Sequence, residues 1–363
     1  MGSVFQHPLS SSNIGNLIHM VRRHGVEWPF LPRFAGVALL SLVRQPVIWY
    51  ESLRFGKRIG EQEIKADPLF IIGHWRSGTT HLQNILSKDE QFAGVTLGQA
   101  AMPLDFLTLG GLLNGPMAKS LPQKRLMDNV AVAADCPWEE ELALACTSPL
   151  SFYHVSFFPR GVGQVFRNAI LFDGNKEQLI ERWKADYSAF LKKVQWTQPG
   201  KRFLLKNPAN SARINILLEM FPGARFIHIH RNPYKVFAST LHLYLKAQEE
   251  WGFNRISRSD LVEHILETYP LLMHAYFDQR KALGKNQLVE VAFQELQTAP
   301  METLQDIYIQ LGLEGFEEAA PAFNDYLLSV GDYQKNKLEL SEEDQEVVAQ
   351  RWRGVFDELG YEI

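Results

Sequence analysis

Short apolar runs alternate along this chain with segments whose apolar residues recur every three or four positions. Residues 69–73 have the length and composition of a buried strand, and residues 79–88 carry their apolar side chains on one helical face. Strand followed by helix recurs down the chain, which predicts an α/β fold with a central parallel sheet flanked by helices. Further strands are predicted at residues 203–206, 225–230 and 288–292. Helices are predicted to begin after residue 213 and after residue 232. Other helices are predicted over residues 177–194, 261–277, 301–311 and 341–359.

The most apolar stretch is residues 34–50. Arg44, Gln45 and Pro46 interrupt it well short of the roughly 20 residues that a membrane span needs. We therefore expect a packed helical hairpin here. The alternative is a surface that dips into a membrane interface, with aromatic residues at its edges and arginines nearby. Those residues are Trp28, Phe30, Trp49, Tyr50, Arg33, Arg44 and Arg54. Residues 96–122, rich in Gly, Leu and Met, could form a mobile lid.

Composition excludes some classes of partner. The 363 residues carry a net charge of -4, so the chain has no global basic field, and nucleic acid is not an expected partner. Any anion site must be local. The two cysteines, Cys136 and Cys146, lie in no metal-binding spacing, and the start of the chain has no secretory pattern. We expect a cytoplasmic protein, with a peripheral membrane contact as the variant noted above.

A local anion site is indicated by the loop between the first strand and its helix. Gly73 and Gly78 have the spacing of a Walker-A loop, where backbone N–H groups converge on a phosphate at a helix N-terminus. The lysine expected after the second glycine is replaced by Thr79, so an ATP-dependent kinase would lack its principal charge. Arg76 supplies a cation within the loop instead. Hydroxyl groups surround Gly78, from Ser77, Thr79 and Thr80.

A second anion site is indicated at the end of the strand 225–230. Arg231 ends that strand and can bind a phosphate with its two-pronged guanidinium group. Ser239 follows eight residues later, about two turns into the next helix, and can add a hydroxyl. Taken alone, Arg231 could pair with a core carboxylate and Ser239 could be an ordinary helix serine. Together with the first loop, they imply a ligand with two phosphates.

These two blocks resemble those of sulfotransferases that use 3'-phosphoadenosine-5'-phosphosulfate (PAPS). Residues 76–80 are similar to the family's 5'-phosphosulfate loop, and residues 225–239 are similar to its 3'-phosphate block. The resemblance runs from about residue 68 onward and is closer to the bacterial and the carbohydrate or tyrosyl-protein branches. It implies a P-loop-like three-layer fold in residues 61–363, with residues 1–60 as a helical extension, PAPS as co-substrate and no metal. The implied donor-binding residues are Arg76, Ser77, Gly78, Thr79, Thr80, Arg231 and Ser239.

The resemblance also suggests catalytic residues. Lys206 matches a lysine that lies near the transferring group, so Arg76 and Lys206 are expected to stabilise charge on the leaving bisphosphate. The family's usual base is missing, because Pro208 and Gln99 stand where relatives have histidine or glutamate.

We therefore expect the base in the acidic run 135–141, as Glu139 or Glu140, with a pKa raised by burial. These residues could instead be ordinary first-turn helix charges. The remaining candidates are His74, His81 and His154.

The acceptor is the least determined part of the prediction. Aromatic residues cluster at 152–158, and if some line a cleft the acceptor is apolar or amphipathic, such as a lipid, sterol or phenol. The expected reaction moves a sulfuryl group from PAPS to a hydroxyl or amine. An ATP-dependent kinase and a non-catalytic nucleotide-binding scaffold are the alternatives. The late block of the family is matched less closely, with Phe293 and Gln294 departing from it.

Overall fold

The structure is a computed structural model that describes residues 4–64, 66–111, 133–331 and 340–363. Within these residues five parallel strands form a sheet in the order β2-β3-β1-β4-β5. The sheet and its flanking helices confirm the predicted α/β class. The strands are β1 (Leu69–Ile72), β2 (Phe92–Ala93), β3 (Arg202–Lys206), β4 (Arg225–His230) and β5 (Leu288–Ala292).

Strand β1 lies at the centre of the sheet, between β3 and β4. All four of its residues are buried, as expected for an apolar run covered on both faces. The chain leaves β1 for β2 and β3 on one side and later adds β4 and β5 on the other. A parallel sheet has a crevice at the carboxyl end of the strand where its order reverses, so the loop after β1 is placed to bind a ligand.

The α-helices confirm most of the predicted segments, with ends that differ by up to three residues. The two-residue strand β2 was not predicted, because it is too short to show a period. The helices are α1 (Ile14–His24), α2 (Leu31–Gly60), α3 (Thr79–Leu86), α4 (Leu97–Ala101), α5 (Glu140–Thr147), α6 (His154–Phe157), α7 (Val162–Phe166), α8 (Lys176–Thr197), α9 (Ile214–Met220), α10 (Pro233–Trp251), α11 (Arg258–Gln279), α12 (Phe293–Thr298), α13 (Pro300–Leu311), α14 (Phe316–Ser329) and α15 (Glu342–Leu359).

The predicted helical hairpin at residues 34–50 is wrong. Helix α2 is a single helix of 30 residues that continues through Pro46. A proline inside a helix removes one backbone hydrogen bond and costs about 3 kcal/mol. The helix continues because its buried side is unbroken across the proline, with Val37, Ser41 and Ile48 all buried on one face. Tertiary packing outweighs the local preference.

Residues 28–60 are long and apolar enough to cross a membrane, judged by length and composition alone. Within an 18-residue window of this segment only 22% of residues are buried. The suggested lid at residues 96–122 contains α4, and its residues 112–122 lie outside the described part of the chain.

The chain divides into two compact units. One comprises residues 1–65, 95–200 and 243–260, and the other comprises residues 66–94, 201–242 and 261–363. The core of the first packs α1 and α2 around phenylalanines that include Phe157, Phe158 and Phe253. The core of the second packs one face of the sheet against α3, α13 and α14. The proposed boundary near residue 61 stays a prediction.

Candidate active site

The loop between β1 and α3 depends on its two glycines. Gly73 has φ 134°, and a Cβ there would lie 2.2 Å from the carbonyl oxygen of Ile229. Gly78 has φ 106°, and a Cβ there would lie 2.2 Å from the ring of Phe293. Real Cβ atoms do not approach other atoms this closely, so both positions require glycine for space as well as for conformation.

The loop residues between the glycines form a compact turn. Arg76 has φ 72°, a left-handed conformation that an ordinary side chain rarely adopts and that is concentrated at functional sites. Ser77 is buried, and its hydroxyl donates to the carbonyl of His74 at 2.7 Å. Gly78 occupies the N-cap position of α3. Because glycine has no side chain, it gives no hydrogen bond to the backbone amides of the first helical turn, which include those of Thr79 and Thr80. Such amides favour an anion.

The structure brings the two predicted phosphate blocks together. The guanidinium Nε of Arg76 donates to the Ser239 hydroxyl at 2.8 Å. The Nη1 of Arg231 donates to the backbone carbonyl of Arg76 at 3.3 Å. The Arg231 guanidinium also lies over the ring of Phe293, 4.8 Å from its centroid. The loop, the end of β4 and the helix after β4 therefore form one basic, hydroxyl-containing site that Phe293 covers on one side.

Lys206 is the last residue of β3 and is held beside the start of the loop. It pairs in register with Ile71 of β1, and the amide of Asn207 donates to the Ile71 carbonyl at 3.2 Å. Only 1% of Lys206 is exposed, so it is not a surface lysine that reaches into solvent. A charged ammonium group inside the protein is costly and is usually retained for a specific partner or for chemistry.

The turn after β3 is hydrogen-bonded to the start of the loop that follows β1. Asn207 caps a 3-10 helix, Pro208–Ala212, by accepting a hydrogen bond from the Ala209 amide at 3.0 Å. Pro208 occupies the first helical turn, where its missing N–H costs nothing. This places Ser211 so that its hydroxyl accepts a hydrogen bond from the Gly73 amide at 2.9 Å. The sequence reasoning missed Ser211 and Asn207, although Asn-Pro is a recognisable helix start.

The three glutamates at the start of α5 are all buried. Glu139 is 8% exposed and accepts a hydrogen bond from the Tyr153 hydroxyl at 3.2 Å. Glu140 is fully buried and accepts one from the Tyr187 hydroxyl at 2.8 Å. Glu141 accepts the Phe152 amide at 2.7 Å. Glu140 and Glu141 do lie in the first turn of α5, so a helix-start role and a role in the site both stay open for them.

A sequence profile described as the sulfotransferase family matches residues 68–318, which is more than half of the chain. The chain belongs to the sulfotransferase family. A curated relative, the omega-hydroxy-beta-dihydromenaquinone-9 sulfotransferase Stf3 of Mycobacterium bovis, is 31% identical over 340 residues, covering 93% of this chain and 86% of the relative. The Stf3 of Mycobacterium tuberculosis matches to the same extent. The enzyme class is therefore sulfuryl transfer, and not the phosphoryl transfer of a kinase.

Solved structures agree on the fold of this sulfotransferase. Sulfotransferase STF9 from Mycobacterium avium superimposes with a TM-score of 0.70 at 16% identity, covering 97% of this chain and 98% of that one. Sulfotransferase STF1 from Mycobacterium tuberculosis superimposes with a TM-score of 0.68 at 20% identity, covering 94% and 91%. The predicted P-loop-like α/β fold is confirmed.

Two of the histidines of this sulfotransferase that were considered as bases are buried. Desolvation lowers the pKa of His74 and of His154 to about 4. His154 donates from Nε2 to the Ala145 carbonyl at 2.9 Å, which is a structural hydrogen bond. His81 lies partly buried on α3. Gln99, which replaces the family glutamate, accepts the Thr96 amide at 3.0 Å and so serves as a helix cap.

Across the described residues of this sulfotransferase, no group of three or more His, Cys, Asp or Glu side chains is arranged to hold a metal ion. Metal independence stays a prediction. Of the aromatic cluster at residues 152–158, Phe157 and Phe158 are fully buried in the core of their unit. Tyr153 is only partly buried, packs against that core and donates a hydrogen bond to Glu139.

Proposed function

We propose that this sulfotransferase moves a sulfuryl group from PAPS to a hydroxyl, or less readily an amine, of a small apolar or amphipathic lipid. The observation that carries the proposal is the hydrogen bond between Arg76 and Ser239. It joins two motifs that are far apart in sequence into one site with two places for phosphate. A donor with phosphates on both the 3' and the 5' oxygens of its ribose fits such a site better than ATP, whose phosphates form a single chain.

The residues present fit this co-substrate. A side chain at Gly78 would collide with Phe293, so this position of the loop is restricted to glycine. We assign the 5'-phosphosulfate end to the loop residues from Arg76 to Thr80, through amides, hydroxyls and one guanidinium group. We assign the 3'-phosphate end to Arg231 and Ser239. The two ends are linked because Arg231 also donates to the carbonyl of Arg76.

The co-substrate supplies an activated sulfuryl group whose departure leaves negative charge on a phosphate oxygen. Arg76 and Lys206 are proposed to stabilise that developing charge. Both side chains are fixed before reaction, Arg76 by Ser239 and Lys206 by burial at the end of β3. Fixed cations in a site shielded from water stabilise a transition state more than mobile ones do.

The acceptor loses one proton as its oxygen bonds to sulfur and the bond from sulfur to the bisphosphate breaks. We propose that Glu139 takes that proton. Of the two candidate carboxylates, Glu139 retains some exposure and contacts the partly buried Tyr153, whereas Glu140 is fully enclosed with Tyr187. A base must be reachable by the group it deprotonates, and this favours Glu139.

The acceptor class is supported by the relative Stf3. Its name states that it acts on omega-hydroxy-beta-dihydromenaquinone-9, an apolar lipid with a hydroxyl group. At 31% identity over 93% of this chain, the two proteins are expected to accept related kinds of molecule. The acidic overall charge of this chain also disfavours a highly anionic polysaccharide as acceptor.

Calorimetric titration tests the donor site. We expect adenosine 3',5'-bisphosphate to bind at least about tenfold more tightly than ATP, because only the former can engage both phosphate positions. Ser239→Ala should weaken the bisphosphate by about tenfold, since it removes a hydroxyl and releases Arg76. Ser329→Ala is the control, because Ser329 is exposed and bonds only its own helix. Tighter binding of ATP would refute the proposed donor.

Transfer of labelled sulfate from PAPS to a panel of phenols, sterols and hydroxylated prenyl quinones tests the reaction. Glu139→Gln should lower kcat by about 10²- to 10⁴-fold and leave the affinity for adenosine 3',5'-bisphosphate unchanged. Glu141→Gln is the control, because Glu141 bonds the Phe152 amide and should stay within a few-fold of the unsubstituted enzyme. If Glu140→Gln abolishes turnover and Glu139→Gln does not, the assignment of the base to Glu139 is wrong.

A further inference from the structure

Helix α2 turns an apolar face outward. Six large hydrophobic side chains on it are exposed, from 50% for Tyr50 to 87% for Leu53. Members of the set are separated from one another by three, four or seven positions, and therefore lie along one side of the helix. We call this set the outer stripe: Leu39, Leu42, Val43, Trp49, Tyr50 and Leu53. A surface helix of a water-soluble protein normally presents its polar side outward, so this stripe indicates a partner surface.

The opposite side of α2 is buried and largely polar. Ser41 donates to the Ser12 carbonyl, and Gln45 donates to the Ser41 carbonyl at 2.9 Å. The carboxylate of Glu51 accepts the Thr108 amide at 2.7 Å and pairs with Lys193. Because these polar groups are bonded to the rest of their own unit, α2 cannot be surrounded by lipid. An apolar partner can reach only the outer stripe.

The charges of α2 determine which apolar partner fits. The helix has five basic residues and one acid, and the acid is Glu51, which is 2% exposed. Arg54, Lys57 and Arg58 are exposed at the end of the stripe, and Arg54 donates to the Tyr50 hydroxyl at 3.2 Å. Within Leu31–Gly60, each charged side chain that is well exposed is therefore a cation. This contrasts with the net charge of -4 for the whole chain.

We propose that the outer stripe and its basic end dock this enzyme on the interface of an anionic lipid bilayer, with α2 lying in the plane of the membrane. Leucines and valine enter the acyl boundary, whereas Trp49 and Tyr50 are residue types that favour the headgroup level. Arg54, Lys57 and Arg58 face the lipid phosphates. A second copy of the same face would add only further cations from α2 to the contact, so a bilayer is the better complement.

This inference does not depend on the proposed acceptor, because the exposed hydrophobic residues and the cations of α2 are observed whatever the acceptor is. The proposed function adds one reason for such docking: a lipid acceptor is found in the bilayer, and an enzyme held at the surface meets it there. Trp28, which is 86% exposed, adds an exposed aromatic residue just before the other end of α2.

Cosedimentation of the full chain with lipid vesicles tests the proposal. The vesicles are phosphatidylcholine alone, or phosphatidylcholine with about one third phosphatidylglycerol. We expect binding to the anionic vesicles, and a loss of at least about tenfold in vesicle affinity for the double variant Leu42→Gln, Leu53→Gln. The triple variant Arg54→Gln, Lys57→Gln, Arg58→Gln should lose the preference for anionic vesicles and the sensitivity of binding to salt.

The matched control is Ile309→Gln with Leu328→Gln, because these two side chains are equally exposed hydrophobics on other helices. This control should bind vesicles like the unsubstituted chain. Binding of adenosine 3',5'-bisphosphate, measured in parallel, separates a failure of docking from a failure of the proposed function. Docking is refuted if the unsubstituted chain binds neither kind of vesicle, or if the stripe variants bind vesicles as well as the control does. It is also refuted if light scattering shows that the outer stripe joins two copies of the chain and does not bind lipid.

Discussion

The substitution Gly78→Ala tests the geometry of the donor loop most directly. The added Cβ meets two separate penalties. Residue 78 has φ 106°, and a left-handed conformation costs an L-residue about 1–2 kcal/mol. The Cβ would also lie 2.2 Å from Cδ2 and 2.6 Å from Cε2 of Phe293, and forcing atoms into such a site costs about 1–3 kcal/mol. We expect unfolding free energy to fall by about 2–5 kcal/mol in total.

A double-mutant cycle separates the two penalties. Phe293→Ala removes the ring, so it should relieve the collision but not the backbone strain. Gly78→Ala should then cost about 1–3 kcal/mol less in the Phe293→Ala background than in the native one, measured by urea denaturation. Gly360→Ala is the control for strain alone, because Gly360 has φ 71° and an added Cβ there would meet nothing within 4 Å. A coupling energy near zero would refute the argument that the Phe293 ring limits residue 78 in addition to the backbone conformation.

Three further predictions concern single groups. Lys206→Met should lower kcat by about 10²- to 10³-fold in the labelled-sulfate assay, with Lys281→Met as the exposed control; equal activity of the two would exclude Lys206 from charge stabilisation. Burial lowers the pKa of His154 to about 4, so between pH 6.5 and 4 the unfolded chain binds a proton at this residue and the folded chain does not. His154 alone should therefore lower the unfolding free energy by about 1.4 kcal/mol for each pH unit that the pH falls within that window. His154→Gln should reduce the pH dependence of unfolding in urea titrations by that amount without abolishing it, because His74 is buried in the same way, and an unchanged slope would contradict the argument. Arg44→Met should cost about 3–5 kcal/mol, because it leaves the fully buried Asp105 without its cation, whereas Arg44→Met with Asp105→Asn should cost less; a double variant as unstable as the single one would show that packing, not charge, is the reason.

Sequence reasoning recovered the sheet because its strands are compact apolar runs with clear ends. The predicted 225–230 and 288–292 match β4 and β5 residue for residue. It failed at α2, since the rule that proline ends a helix is local, and the buried row that includes Val37 and Ile48 is a property of the folded unit.

For the site, spacing located the residues but not their contacts. The sequence placed Arg76 and Ser239 in separate phosphate blocks, and only the fold shows that they are hydrogen-bonded. Phe293 was noted as a departure from the family pattern, yet its contact with Gly78 and Arg231 depends on how α12 follows β5, which no local pattern encodes. The roles assigned to Lys206 and Glu139 stay predictions.

The hydrogen bond from the Gly73 amide to Ser211 has a consequence for the thermodynamics of binding. It joins the start of the loop to the turn that follows β3, so this part of the proposed donor site is held in place by the fold itself. Little conformational entropy then remains to be lost on association. We therefore expect Ser211→Ala to weaken binding of the proposed nucleotide chiefly through a more unfavourable entropy change.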